Sequence, residues 1–430
     1  MSAYHTGFDV GLPSDARGSK SGGGCFRKSI TFTAVLATLF SAAALALVVY
    51  VGFYTDDNTV KTQPIVIRVG QATPLKGYAS ARSFFEGTGS WAAKEPLPAG
   101  TSDFVAVTVG DKIYLIGGQD VNGASMTVVR EYDPVIDDYN STKAALSVGR
   151  MRYGAAAVGT KIYVIGGLAV DDPFGDVNAS NIQTPHTTFI YDTATDTWTD
   201  GPELNAGRSD LCAFAVGTKV YAVGGYTDFL STLDSVEVLD TSASSPAWAA
   251  APSLPEARGD VTCAAAGGKG YAIGGFYDPT GNFAADQFTE HVFELDVAGG
   301  AAAWTNKSSM PVAVGDKAAA ALPDGSIVVI GGETHRNDGT ESQTATHTSL
   351  QYYPAHDTWV KKAPLPTARF RFAAAADADG YVHAFGGHTH CAVTSFSPYT
   401  TDCAAQALVS HEIMFDVVHP DLWIHSTEEL

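Results

Sequence analysis

Runs of four or five mostly apolar residues closed by paired glycines recur along this chain: KIYLIGG, KIYVIGG, KVYAVGG, KGYAIGG, SIVVIGG and YVHAFGG. Each run is rich in β-branched and aromatic residues and too short for a helix. It therefore predicts a strand, stopped where glycines let the backbone turn. The doublets begin at Gly117, Gly166, Gly224, Gly274, Gly331 and Gly386, at intervals of 49, 58, 50, 57 and 55 residues. A period near fifty is one supersecondary unit copied around an axis. After each doublet comes a third strand (VVREYDP, TFIYDTATDTW, SVEVLDTSASSPAW, HVFELDVAGGAAAW, LQYYPAHDTW, HEIMFDVVHPDLW). The aromatic at its end opens a fourth, outer strand: Tyr139, Trp198, Trp248, Trp304, Trp359 and Trp423.

The doublet, the Tyr three residues before it, the hydrophobic–Asp turn and the spaced Trp resemble the kelch repeat over about 80–425. Local departures are Val328 and His383 in the Tyr slot and Tyr139 in the Trp slot. The resemblance implies an all-β kelch β-propeller of six four-stranded blades. The segment ARSFFEGTGSWAAKEPLP (81–98) reads as a surplus third and fourth strand without its own doublet. It either helps to close a six-bladed ring, the favoured reading, or forms an incomplete seventh N-terminal blade with PIVIRV (64–69).

The N-terminal part follows a different pattern. Residues 30–53 run 24 positions without a charge, preceded by Arg17, Lys20, Arg27 and Lys28 and followed by Asp56 and Asp57. That length spans a hydrocarbon core as a transmembrane helix, and the flanking charges orient it with the N-terminus cytoplasmic. A cleaved signal peptide ending near Ala44 and Ala46 is the weaker reading, and both readings export the rest. The expected organisation is a disordered cytoplasmic tail (1–29), a transmembrane helix (30–53), a stalk (54–79) and the propeller (80–430). That organisation predicts a single-pass type II protein, at the plasma membrane or in the Golgi.

Cysteines and sequons refine that picture. In an oxidising compartment Cys391 and Cys403, twelve apart in one polar loop, are expected to pair. Cys212 and Cys263, on innermost strands, are expected as buried free thiols, and Cys25 lies in the basic flank. Asn140, Asn178 and Asn306 head glycosylation sequons on the exported side. The formal charge of −20 excludes general nucleic-acid binding, which needs a basic footprint.

Counting from the doublets exposes candidate chemistry. Sixteen residues upstream stand Arg150, Arg208 and Arg258, with Arg369 in the same slot after a one-residue insertion and Thr101 in the first repeat. Two positions later come Asp103, Arg152, Asp210, Asp260, Asp316 and Arg371. Alternation by two in an extended strand puts both sets on one side. That predicts a net positive channel mouth, where Arg150, Arg152, Arg208, Arg258, Arg369 and Arg371 bind an anionic ligand. The competing reading is that Arg–Asp bridges simply knit neighbouring blades.

Long loops at 168–187, 333–348 and 388–407 should open on the same face. His335, His388 and His390 lie there, but no ligand spacing completes a metal motif, and no cofactor is expected. No nucleophile elbow, P-loop or dinucleotide fingerprint is present. His411-Glu412 starts an HExxH pattern that Phe415 breaks, and His419 falls one residue short of the iron triad of kelch-type specifier proteins. The leading expectation is therefore a non-enzymatic, membrane-anchored binding module for a protein or anionic glycan. Resemblance to sialate-mutarotase-like propellers makes an acidic-sugar enzyme the alternative. A galactose-oxidase-like copper enzyme is weaker, because the sequence closes soon after Trp423.

Overall fold

A computed structural model describes residues 37–38, 45–54, 60–69, 89–169, 185–227, 231–277, 288–300, 303–335, 343–396, 399–402 and 407–415. Two compact units divide the chain, Met1–Arg82 and Ser83–Leu430. In the first, Ala37–Thr38, Leu45–Tyr54 and Val60–Val69 form a three-stranded antiparallel sheet. The strand expected at 64–69 is part of it, paired with Leu45–Tyr54. Among the described residues no helix is long and apolar enough to cross a membrane. The remainder of the 30–53 segment lies outside the described residues.

The second unit is a six-bladed β-propeller. Blade one comprises Val105–Val109, Lys112–Ile116, Val129–Asp133 and Asp138–Asn140, and blades two to five repeat that meander. Blade six is assembled from both ends of the unit. Ala373–Ala376, Val382–Phe385 and His411–Phe415 supply three strands, and Ser90–Ala93 supplies the outermost. Met414 pairs with Trp91 as Tyr191 pairs with Trp198 in blade two. The surplus strand around Trp91 thus closes a six-bladed ring and takes the outer position expected for Trp423. Residues 81–88, read as a further strand, and Trp423 both lie outside the described residues.

Small side chains let six innermost strands converge on the axis. They read VAVTV, GAAAV, CAFAV, TCAAA, AAAA and AAAA, and each packs on its neighbours, blade six on blade one included. Between blades, the outer-strand indoles act as stitches. Nε1 of Trp91, Trp198, Trp248, Trp304 and Trp359 donates to the carbonyls of Ala363, Ala144, Pro202, Pro252 and Ser308, each in the preceding blade.

The doublets make a further close contact between blades. Gly118 N donates to Arg150 O (2.7 Å), and Gly225 N donates to Arg258 O (2.7 Å), in each case in the next blade. Gly387 N closes the series on Thr101 O (2.8 Å). A Cβ at Gly224 would stand 2.6 Å from Arg258 O, and its φ of 61° strains any L side chain.

Two features depart from expectation. Cys212 and Cys263 are not free thiols. They face each other from the innermost strands of blades three and four, Cα atoms 5.4 Å apart, and form a disulfide. The loops at 333–348 and 388–407 carry strands of their own, Glu333–His335, Gln343–Ala345, His390–Phe396 and Tyr399–Asp402, in one additional four-stranded sheet. Cys403, most of the 168–187 loop and Asn178 lie outside the described residues. Asn140 and Asn306 are exposed on outer strands.

Candidate functional site: the channel mouth

The two arginine positions part company just before each innermost strand. Asp103, Arg152, Asp210, Asp260, Asp316 and Arg371 all have left-handed backbones, with φ between 45° and 55°. The extended-strand alternation therefore fails there, and the two sets diverge.

Arg208, Arg258 and Arg369 are completely buried, and Arg150 nearly so. Arg208 Nη1 donates to Gly224 O (3.0 Å) and Ser235 O (2.9 Å), while Nη2 meets Glu237 Oε1 at 2.8 Å. Arg258 Nη1 donates to Gly274 O and Arg369 Nη1 to Gly386 O, both at 2.8 Å. Arg150 Nη2 donates to Thr187 Oγ1 at 2.9 Å. Each of the first three guanidiniums satisfies a carbonyl of its own blade's doublet. Its backbone carbonyl meanwhile serves the preceding blade's doublet. Such buried arginines brace blades, and the structure does not bring them to the channel.

Of the six expected arginines only Arg152 and Arg371 line the central cavity, which has a volume of about 220 Å³. They share its lining with four aspartates and Lys317, so the mouth is mixed in charge rather than strongly positive. Arg152 Nε meets Asp103 Oδ1 at 3.0 Å, and its Nη1 lies 3.7 Å from Asp210 Oδ1. Arg371 Nε meets Asp316 Oδ2 at 2.7 Å and stands 3.9 Å from Asp103. The backbone also runs blade to blade here. Asp103, Arg152, Asp210, Asp260 and Arg371 each donate N–H to the ring residue of the preceding blade.

A further ring escaped the sequence reading. The residue directly after each doublet forms a bridge with the one just before the ring position, giving Gln119, Leu168, Tyr226, Phe276, Glu333 and His388. Some of these reach forward to the next blade: Tyr226 OH donates to Asp260 Oδ2 (2.9 Å), and His388 Nε2 lies 3.6 Å from Asp103 Oδ2. Its signal was available, since the position is fixed relative to the doublet. Its side chains vary in chemistry, however, so no residue type repeats.

Charge crowding sets the electrostatics. Asp210, Asp260 and Asp316 bring carboxylate oxygens within 4.8 Å of one another, close enough to share protons or a cation. Burial, resisted by Arg152 and reinforced by Asp316, raises Asp210 to about 6. Burial together with Asp316 and Asp210 lifts Asp260 well above the carboxylate range, and burial with Asp316 does the same to Glu333. Asp103 goes the other way: burial is outweighed by Arg152, the neighbouring His388, and Arg371. Lys317, on the cavity wall, is brought down to about 7 by burial and by Arg258.

These features define a closed propeller with a charged axial mouth. The Kelch motif matches residues 100–139, 149–205 and 207–255. The remaining blades keep the same register, and the chain is a kelch-repeat β-propeller. Comparison with curated proteins finds no match. The solved structure described as "Structure of YjhT" is similar in fold, with a TM-score of 0.57 at 17% identity over 72% of this chain and 99% of that one.

Proposed function

We propose that this propeller is a binding module that engages a protein partner with its mouth face. One observation carries the reading: the loops of blades five and six build a second four-stranded sheet beside the charged ring. A structured addition on one face enlarges that face for recognition. Arg152 and Arg371 offer it two guanidinium forks, and an anionic glycan is the other ligand class such forks suit. Capture from cell-surface extracts and glycan arrays, run with the exported domain, tests this. Arg152→Ala and Arg371→Ala should lose the captured ligand while the domain stays folded. Full retention of binding in both variants would sink the assignment to this face.

A second reading is catalysis on an acidic sugar. Its support is proton-holding Asp260 beside Arg371 on the cavity wall, with buried Glu333 also raised and interacting with Asp316 and Arg371. Anomer exchange of acidic sugars followed by NMR separates it from binding alone.

We further propose that residues 30–53 tether the module, with the propeller exported. The uncharged stretch and its basic flank support the tether, and the Cys212–Cys263 disulfide suits an oxidising compartment. The chain joins the propeller at Ser90, at the strand end paired with Phe415 and remote from the doublets. A C-terminal tag on microsomes should resist protease until detergent is added, and digestion without detergent would exclude export.

A further inference from the structure

Five of the six junctions between blades carry a Trp indole donating to a carbonyl two residues before the buried Leu or Met that follows the outer strand. The sixth, between blades six and one, is the junction at which the ring closes. Tyr139 holds the Trp slot there, and the equivalent carbonyl is that of Glu95. A chain of hydrogen bonds replaces the indole. Tyr139 OH donates to His411 Nδ1 (3.0 Å), His411 Nε2 to His383 Nδ1 (2.9 Å), and His383 Nε2 to Asp377 Oδ2 (3.0 Å).

The direction of that chain follows from its acidic end. Asp377 already accepts from the backbone N–H groups of Tyr381 (2.9 Å) and Asp379 (3.0 Å). It therefore acts as a carboxylate and His383 must donate to it; His411 Nε2 then donates to His383 Nδ1, and His411 Nδ1 accepts from Tyr139 while lying 3.3 Å from Glu95 O. Both imidazoles are buried, and Tyr132 and Phe385 pack on them. The other charged groups facing the pair are Asp137, Lys94, Glu95 and, beyond Tyr139, Arg130.

We propose that the Asp377–His383–His411–Tyr139 relay is an acid-sensitive latch on the closing seam, and that a proton taken up there frees the strand Ser90–Ala93. A proton on His411 Nδ1 displaces the Tyr139 hydroxyl from its acceptor. A proton on His383 Nδ1 sets two N–H groups head to head. The first turns Nδ1 toward the Glu95 carbonyl, 3.3 Å away, and strands the part-buried Tyr139 hydroxyl; the second leaves a buried N–H without an acceptor, in a seam whose outermost strand is only four residues long. In keeping with this, burial and then the neighbouring His383 hold His411 down at about 2. The latched state therefore keeps full stability above pH 6.5 and loses it as the pH falls below, because the opened seam binds the proton more readily.

Hydrogen exchange of the full chain, corrected for intrinsic rates, measures opening of Ser90–Ala93 and His411–Phe415 from pH 7.5 to 4.5. Opening should rise about tenfold per pH unit below 6.5, the slope of one proton. The blade-two strand Gly154–Val158 should not follow. His411→Phe, or His383→Tyr with the residue four other repeats carry, should flatten the seam's response. A flat wild-type seam, equal loosening of blade two, or a folded variant that keeps the slope would each overturn the latch. Should neither variant fold, the wild-type contrast between the seam and blade two decides alone.

Discussion

One left-handed residue per blade separates scaffold from mouth. Before that turn the arginine of four repeats points into its own blade, while the left-handed residue itself lines the channel. Arg208→Ala leaves Glu237 buried without its guanidinium and two carbonyls without a donor. It should cost about 3–5 kcal/mol in urea unfolding. Arg152→Ala should cost less, because the Arg152 side chain is partly exposed and buried Asp103 keeps Arg371 3.9 Å away. Asp210 gives a prediction of opposite sign. Its proton is held to about pH 6 in the folded state, whereas the unfolded chain releases it near 4. Stability is thus lost as the pH rises through that window. Asp210→Asn should therefore raise stability by about 1–3 kcal/mol at pH 7 and change little at pH 3.5, read from paired melts. The sequence showed which residues repeat, but a sign change in φ leaves no mark in residue type: Asp and Arg share the ring. For that reason the expected six-arginine mouth became two arginines against four aspartates.

Strand elements were the most legible feature. Paired glycines, β-branched runs and the spaced Trp each answer to a local requirement. These are a positive φ, a pleated half-buried surface and a stitch to the preceding blade's carbonyl. The closing strand around Trp91 apart, elements that depend on distant partners were not legible. Cys212 and Cys263 are 51 residues apart and meet only because neighbouring innermost strands run side by side. Likewise the second sheet pairs Gln343–Ala345 with His390–Phe396, loops of two different blades. The disulfide joins blades three and four across the channel wall. Replacing both cysteines by Ala should lower stability by about 2–4 kcal/mol, and reductant should then have no further effect on the melt. Equal melts for wild type with and without reductant would argue against the bond.

At the scale of the molecule, the ring is closed by a strand from the N-terminal side of the propeller. A chain beginning at residue 83 should unfold in one cooperative transition. One beginning at residue 99 lacks the outer strand of blade six and the Trp91 stitch to Ala363, and should melt far lower or not fold. Circular dichroism melts compare the two directly. The doublet-loop face of this closed ring is the proposed meeting point with a partner. Exposed hydrophobic positions on different parts of the propeller allow it to be tested. Val121 and Val409, each 46% exposed, flank the doublet loops, whereas Val135, 83% exposed, sits in a turn at the far end of its strand. A photo-crosslinking residue at each position, activated on cells expressing the full chain, reports contact directly. Adducts to a protein partner should form from 121 and 409 and not from 135. Adducts from 135 alone would contradict the assignment and place recognition elsewhere on the propeller.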